Sequence, residues 1–306
     1  MKRYFIIISS LLIVLLSFFI IKTLKERTPQ YSTLSIKNIG NFDIINTCAQ
    51  YPKFLTKLKI PQPIAIDLSQ QQHKGLAFLY GHKLRQFLHL KTWEKFDYFS
   101  TYVFDPQGHT YLTPMPYISI KEKTFEFQKN IYKVDTHSGK LSIWMTLEEV
   151  KATSRNPYGL ISLDYDCDDH TLWVSAIDET SYSLNKGVIY HIDIKSKKIL
   201  NKIEGFDALS LKLVTSNTGK QLLFGGAKDN VLYALDITSL TIKKLFELPN
   251  REEKIRKIKL RNQNLLELQT IPFGYSLIAQ TSQTGNRRYY QLKWNDSYSS
   301  WQLSSK

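Results

Sequence analysis

Apolar and polar residues alternate in short runs along most of this chain, and polar turns separate the runs. The runs are rich in Val, Ile, Tyr and Phe, which predicts β-strands joined by hairpins. The regular pattern begins after Pro63 and continues to the C-terminal end. We therefore predict an all-β domain.

One phrase occurs three times, and each copy places a Tyr three residues before an Asp. Tyr132, Tyr190 and Tyr233 mark the copies and lie 58 and 43 residues apart. A repeat of about 45 residues in an all-β chain is typical of β-propeller blades. We expect these tyrosines to pack within blades and each Asp to cap the turn that follows it.

Five strand-turn-strand units are visible, each interpreted as four short strands, and they span residues 64–90, 102–145, 163–203, 211–246 and 255–303. Dividing residues 34–306 by about 45 residues per blade gives six blades. The sixth blade would be shared between residues 34–60 and the C-terminal end. Five and seven blades remain open as alternatives.

The N-terminal region predicts a membrane anchor. Residues 4–21 carry no charge, and at about 1.5 Å per residue they would span about 27 Å of bilayer. A cleaved signal peptide is the alternative, but no small-x-small cleavage pattern follows the apolar run. The predicted parts are a cytoplasmic tip, a single transmembrane signal anchor, a linker and a propeller, at residues 1–3, 4–21, 22–33 and 34–306.

The chain is basic, with 41 Lys and Arg against 27 Asp and Glu. The resulting charge of +14 favours anionic partners such as lipid head groups or acidic envelope polymers. Basic residues flank the apolar run on both sides, so they do not orient it. Its very short N-terminal tail favours an extracytoplasmic propeller. Nucleic acid is not an expected partner there, and no nucleic-acid motif is present.

Positive charge is concentrated in residues 251–261, which hold six basic and two acidic side chains. The predicted patch for an anionic lipid or polymer consists of Lys254, Arg256, Lys257, Lys259 and Arg261. The alternative is a solvated blade edge, on which lysines hinder pairing with another strand.

The two cysteines, Cys48 and Cys167, have no zinc-site spacing. In an extracytoplasmic domain they are candidates for a disulfide, and two separate buried thiols are the alternative.

The densest acidic cluster contains candidate calcium ligands at Asp164, Asp166 and Asp168. The loop lacks a Gly at its sixth position, and Ser175 stands at its twelfth position instead of Glu. The alternative is a β-turn in which Asp168 and Asp169 bond local amides.

Residues 156–176 contain Pro157, Gly159, a strand, an acidic turn and a second strand that begins at Leu172. This order resembles the start of an NHL-type blade, and the resemblance extends over about residues 60–250. It implies a propeller of the NHL-like, six-bladed superfamily. The same architecture includes calcium-dependent lactonases and esterases, but their ligand set has no residue-by-residue match in this chain.

No motif for a serine nucleophile, a phosphate-binding loop, a dinucleotide site or a zinc protease occurs in the sequence. We therefore predict a binding or scaffold module for a protein or an anionic envelope polymer, with no cofactor except a candidate calcium ion. The alternative is a metal-dependent hydrolase of the lactonase or esterase type. It would need Asp, Glu or Asn side chains from several blades in one central funnel. A weaker third hypothesis is a sugar-binding sensor.

Overall fold

The computed structural model describes residues 39–68, 74–115, 125–153, 156–178, 180, 183–275 and 287–304. The predicted anchor and linker, at residues 4–21 and 22–33, lie outside these residues. Within the described ranges, no helix has the length and apolar character needed to cross a membrane.

The described strands form five antiparallel sheets, which are the blades of a β-propeller. A short strand, β1 (Asp43–Ile44), and a helix, α1 (Lys53–Lys57), precede them. Blade 1 contains β2 (Ile64–Asp67), β3 (Ala77–Tyr80) and β4 (Gln86–Leu88). Blade 2 contains β5 (Tyr98–Phe104), β6 (Thr110–Met115), β7 (Asn130–Val134) and β8 (Leu141–Thr146). Blade 3 contains β9 (Leu160–Asp166), β10 (Thr171–Ala176), β11 (Val188–Asp193) and β12 (Ile199–Glu204).

Blade 4 contains β13 (Ala208–Ser216), β14 (Gly219–Gly226), β15 (Val231–Asp236) and β16 (Ile242–Glu247). Blade 5 contains β17 (Glu253–Asn262), β18 (Leu265–Pro272), β19 (Arg288–Asn295) and β20 (Ser300–Leu303). Short 3-10 helices cover Asn46–Cys48, His82–Leu84, Lys91–Phe96 and Glu126–Lys129. The five blades follow the five units seen in the sequence.

Apolar side chains fill the space between each pair of consecutive blades, from blades 1 and 2 to blades 4 and 5. A four-stranded sheet has apolar faces that only a neighbouring sheet can cover, so the blades stabilise one another in series. The repeated tyrosines, Tyr132, Tyr190 and Tyr233, are buried in this packing, as predicted.

The Asp of each repeat caps its turn, also as predicted. Asp135 accepts hydrogen bonds from the backbone N–H groups of His137 and Ser138. Asp193 and Asp236 accept bonds from the following turns in the same way. Each carboxylate thus satisfies amides that the tight turn leaves without a strand partner.

The expected sixth blade is not formed by the described residues. Residues 39–57, which we call the strap, instead cross one end of all five blades. Near blade 5, the Trp301 indole N–H donates to the Ile39 carbonyl at 3.1 Å, and Phe42 stacks on Trp301. At blade 4, β1 pairs with the far end of β13 and opposes Val214 and Thr215.

The strap continues over blades 3, 2 and 1. Cys48 forms a disulfide with Cys167, which follows β9 in blade 3. In blade 2, Thr136 accepts the backbone N–H groups of Lys53 and Phe54. The Phe54 ring then packs edge-on against Phe78 and Trp93 of blade 1. The strap therefore links the blades without adding one.

Blade 1 has three strands where the other blades have four, and it lacks an inner strand among the described residues. Side chains cover part of the exposed edge of β2. The Tyr51 hydroxyl donates to the Ile64 carbonyl at 3.1 Å, and the Tyr102 hydroxyl is hydrogen-bonded to the backbone of Ile66. Covering an edge strand in this way hinders pairing with another chain.

Candidate functional site

Each of the four inner strands, β5, β9, β13 and β17, contains a β-bulge close to its first residue. The extra residues are Ser100, Ile161, Leu209 and Arg256. A bulge places an additional residue opposite one partner and redirects the side chains that follow it.

The bulged residues meet near the centre of the ring. Arg256 donates from Nη1 to the Leu209 carbonyl at 3.1 Å and from Nη2 to Ser100 Oγ. Ser100 Oγ donates in turn to the Ile161 carbonyl at 2.8 Å. Burial lowers the pKa of the Arg256 guanidinium to about 10, so it is still charged at neutral pH. Arg256 thus links blade 5 to blades 4 and 2.

The hydrolase alternative requires metal-ligand side chains in this central region. Arg256 and Ser100 lie there, and the apolar residues Tyr158, Ile161 and Leu209 form a cluster in the same region. Within the part of the chain that the structure describes, no group of three His, Cys, Asp or Glu side chains is arranged to hold a metal ion. The described centre therefore presents a cation, hydroxyl groups and apolar surface.

The acidic cluster is neutralised by lysines of blade 4. Asp164 accepts a hydrogen bond from Lys212 Nζ at 2.9 Å and one from the backbone N–H of Leu213 at 2.7 Å. Asp166, which is fully buried, accepts the ammonium of Lys220 at 2.9 Å. These contacts join the inner strand of blade 3 to the first hairpin of blade 4.

Lys220 also contacts Asp168 and Asp169, at 3.2 and 2.8 Å. Burial opposes the charge of Lys220, but hydrogen bonds to Asp169 and Asp166 outweigh it and raise the lysine pKa. Asp166 additionally accepts the backbone N–H groups of Asp168 and Asp169, which form the turn. Of the candidate calcium ligands, Asp166 and Asp168 therefore contact the Lys220 ammonium and Asp164 contacts that of Lys212. Calcium binding stays a prediction.

The predicted basic patch is divided between the interior and the surface. Lys254 is buried, and its ammonium donates to the carbonyls of Lys228 and Arg251. Arg256 is buried at the ring centre, as described above. Lys257, Lys259 and Arg261 are exposed, and Arg261 forms a bidentate pair with Glu267. The surface part of the patch is thus smaller than the sequence predicted.

The residue after each bulge contacts the following blade. Ser162 Oγ accepts the Leu211 backbone N–H at 3.1 Å, and Ser210 Oγ donates to the Ile255 carbonyl at 2.9 Å. Thr101 reaches the Ile161 carbonyl of blade 3 at 3.5 Å in the same way. In blade 5 the corresponding residue is Lys257. Among the described residues, no inner strand of a following blade lies next to it.

Lys257 belongs to the face of blade 5 that is turned away from blade 4, which we call the open face. Strand register places two cross-strand rows on it: Lys257, Gln269 and Tyr289, and then Lys259, Glu267 and Gln291. At the corresponding places, blade 4 has Ser210, Gly225 and Leu232 in the first row and Lys212, Leu223 and Ala234 in the second. The three apolar residues pack toward blade 5. The open face is therefore more polar than the covered face of blade 4.

The polarity of the open face explains why no further described blade packs on it. A sixth blade packed here would bury lysine, glutamate and glutamine side chains without apolar compensation. Polar outer faces are what terminal units of a repeat protein require. Blade 5 therefore has the composition of a terminal blade.

The open face carries positive charge beside a groove. Lys257 and Arg287 have no ion-pair partner among the described residues, while Lys259 Nζ lies 3.9 Å from Glu267. The Lys257 side chain is exposed on one side and covered by protein on the others. This partial burial lowers its pKa, and the positive charges of Arg256, Lys259 and Arg287 lower it further. The groove, of about 460 Å³, is lined by Glu267, Tyr289, Tyr290, Gln291, Leu303 and Ser304.

Sequence reasoning did not find the open face. One signal was available, because the fifth unit has Glu267 and Gln291 where strand alternation in blade 4 places Leu223 and Ala234. The two buried members of the basic patch had no such signal, since a single bulge changes which face a side chain occupies.

No protein-family model matches the chain, and no curated protein matches it. Among solved structures, it is similar to the extracellular domain of a B. thetaiotaomicron protein described as a one component system. The TM-score is 0.46 and the identity 11%, over 89% of this chain and 28% of that chain. The chain thus spans less than a third of that protein's length.

Two further similarities are of the same size. The β-propeller domain of Swd1 from Myceliophteria thermophila gives a TM-score of 0.44 at 11% identity, over 75% of this chain and 65% of that chain. The luciferin-regenerating enzyme gives a TM-score of 0.43 at 11% identity, over 69% of this chain and 71% of that chain. At these identities the likeness concerns the fold alone, and function is argued below from the chain's own residues.

Proposed function

We propose that this chain is a membrane-anchored, extracytoplasmic β-propeller that acts as a binding or scaffold module for a protein or an anionic envelope polymer. The observation that carries the proposal is the open face of blade 5. It combines two cations that have no ion-pair partner among the described residues, Lys257 and Arg287, with amide and phenol side chains and a groove. Polar groups in this arrangement suit recognition of a charged partner.

The disulfide supports the extracytoplasmic part of the proposal. Cys48 and Cys167 are the two cysteines of the chain, and the structure bonds them. Disulfides persist in oxidising compartments and are rare in the cytosol. The apolar residues 4–21 would attach the propeller to the membrane on that side.

Photocrosslinking in intact cells tests the binding function. A photoreactive amino acid replaces Tyr289 on the open face of the full chain, and the matched control replaces Leu200 of β12, which is 49% exposed. We expect adducts from position 289 at several times the yield from position 200. Mass spectrometry and saccharide staining then separate a protein adduct from a polymer adduct. Equal yields at both positions would argue against a partner on the open face.

Thiol trapping tests the location. Intact cells that express the full chain are treated with a maleimide, with and without prior reduction. We expect Cys48 and Cys167 to react only after reduction, because an oxidising compartment keeps them bonded. Reactive thiols without reductant would contradict an extracytoplasmic propeller.

A further inference from the structure

The partner chemistry follows from how each inner strand contacts its neighbour. Ser162 and Ser210 bond the backbone of the next inner strand, and Asp164 accepts the Leu213 N–H. Counted from the bulge, Lys257 of blade 5 is equivalent to Ser162 and Ser210, and Lys259 is equivalent to Asp164 and Lys212. Ammonium groups only donate, so a strand beside β17 would have to supply acceptors.

The charges around these lysines restrict the acceptors further. Besides its partial burial, Lys257 is affected by the like charges of Arg256, Lys259 and Arg287, and Glu267 is already held by Arg261. Adding carboxylates relieves this repulsion, while neutral carbonyls alone do not. The same face also carries Gln269, Tyr289 and Gln291, which suit hydrogen bonding to an extended main chain.

The segments of this chain that lie outside the structure do not match that chemistry. Residues 22–38 contain four basic residues and one acidic residue, residues 116–124 contain two basic residues and one acidic residue, and residues 276–286 contain no charged residue. None of these segments has the net negative charge that the lysines favour. The occupant is therefore expected on another molecule.

We propose that the open face of blade 5 binds an extended acidic segment of a partner protein, with Lys257 and Lys259 donating to its carboxylates. Gln269, Tyr289 and Gln291 hydrogen-bond its main chain. This inference rests on the proposed binding function and specifies the partner class. The segment lies beside β17, at the position that a following inner strand would take.

The test uses the purified full chain in detergent micelles and three probes. These are a fluorescent peptide of alternating Glu and Ser, a length-matched peptide of alternating Lys and Ser, and phosphatidylglycerol vesicles. The variant is Lys257→Glu with Lys259→Glu. The control, Lys195→Glu with Lys198→Glu, changes the net charge equally at exposed positions of blade 3. Thermal unfolding checks that both variants fold, and Lys257→Gln with Lys259→Gln replaces the first variant if it does not.

We expect the acidic peptide to bind, and the open-face variant to weaken its affinity about tenfold or more with little change in the control. The basic peptide should not bind. Equal losses of peptide affinity in the open-face variant and in the control would show that net charge alone causes the effect, and would overturn the inference. Vesicle binding that depends on Lys257 and Lys259 without peptide binding would also overturn it, and would leave the proposed binding function in place. Failure of that function itself would appear separately, as absent crosslinks from position 289.

Discussion

At the scale of single residues, two buried carboxylates of blade 3, Asp164 and Asp166, are matched by lysines of blade 4. Asp166 of blade 3 is fully buried, and the ammonium of Lys220 in blade 4 sits 2.9 Å from it. The exposed carboxylates of Asp168 and Asp169 also contact the Lys220 ammonium. Because a buried carboxylate is costly without a counter-charge, this lysine holds two blades together.

Lys220→Met tests that role. The change leaves the buried Asp166 without its cation, and we expect the free energy of unfolding to fall by about 2–4 kcal/mol, given the partial exposure of the cluster. Denaturant unfolding measures it. Lys198→Met removes an exposed lysine as the control and should cost no more than about 0.5 kcal/mol. Equal effects would show that the Asp166 contact contributes nothing particular.

For Asp207, burial affects the pKa of the carboxyl more than its hydrogen bonds do. Burial raises its pKa above the ordinary value of 3.8, even though hydrogen bonds from Tyr275 and Thr180 favour the charged form. The folded state therefore binds the proton more tightly than the unfolded state. Its contribution to stability is fully present below the unfolded pKa and is lost as pH rises through the folded pKa.

Asp207→Asn removes this titration. We expect Tm of the variant, relative to that of the native chain, to increase as pH rises from about 4 to 8. Asp135→Asn is the control of opposite sign, because hydrogen bonds from Ser138 outweigh burial and lower the pKa of Asp135 to about 2. That variant should lose Tm relative to the native chain as pH rises. Parallel pH curves for the two variants would contradict the assignment.

At the scale of elements, the strap adds a further connection to the packing that joins consecutive blades. It contacts blade 5 through Phe42 and blade 1 through Phe54, and its disulfide joins residues that are 119 positions apart. A bond that closes a long loop restricts the unfolded chain strongly.

Cys48→Ala with Cys167→Ala opens this loop. We expect the free energy of unfolding to decrease by about 2–4 kcal/mol, measured by denaturant unfolding of the oxidised native chain and the double variant. Adding reductant should destabilise the native chain by a similar amount and leave the variant unchanged. A variant as stable as the oxidised chain would mean that noncovalent contacts alone hold the strap.

The elements also show what sequence reasoning could reach. Alternation and the Tyr–Asp repeat located the strands of blades 2, 3 and 4, because local hydrophobic pattern decides those elements. The pattern around Asp43 and Ile44 also favoured a strand, but its partner, β13, is chosen by tertiary contacts. The interior positions of Lys254 and Arg256 escaped prediction because a bulge has no signature in a basic strand.

At the scale of the whole molecule, five blades stack in series and the last one presents a polar surface. The first blade presents an edge that tyrosine hydroxyls partly cover. A polar outer face and a covered edge strand both keep a sheet from associating with further sheets. The open face is thus suited to a specific polar partner and resists nonspecific packing.

Gln291→Leu with Lys293→Leu tests that statement. Both residues are exposed on β19, next to Tyr289, so the change creates an apolar patch on the open face. We expect the mean molar mass of the solubilised full chain to rise with protein concentration, measured by size exclusion with light scattering. The control, Gln291→Ser with Lys293→Ser, should behave as the native chain. Unchanged mass in the leucine variant would show that polarity does not limit association.

The contact between Trp301 and the strap has a consequence for synthesis. Its indole N–H donates to the Ile39 carbonyl, a partner made 262 residues earlier, and its ring stacks on Phe42. A nascent chain cannot form this contact until translation has passed that tryptophan. Before then, the strap can attach to blade 5 through Gln263, whose carbonyl accepts the Phe42 backbone N–H at 2.9 Å. Trp301 therefore completes the attachment of the strap only after the first three strands of blade 5 have been synthesised.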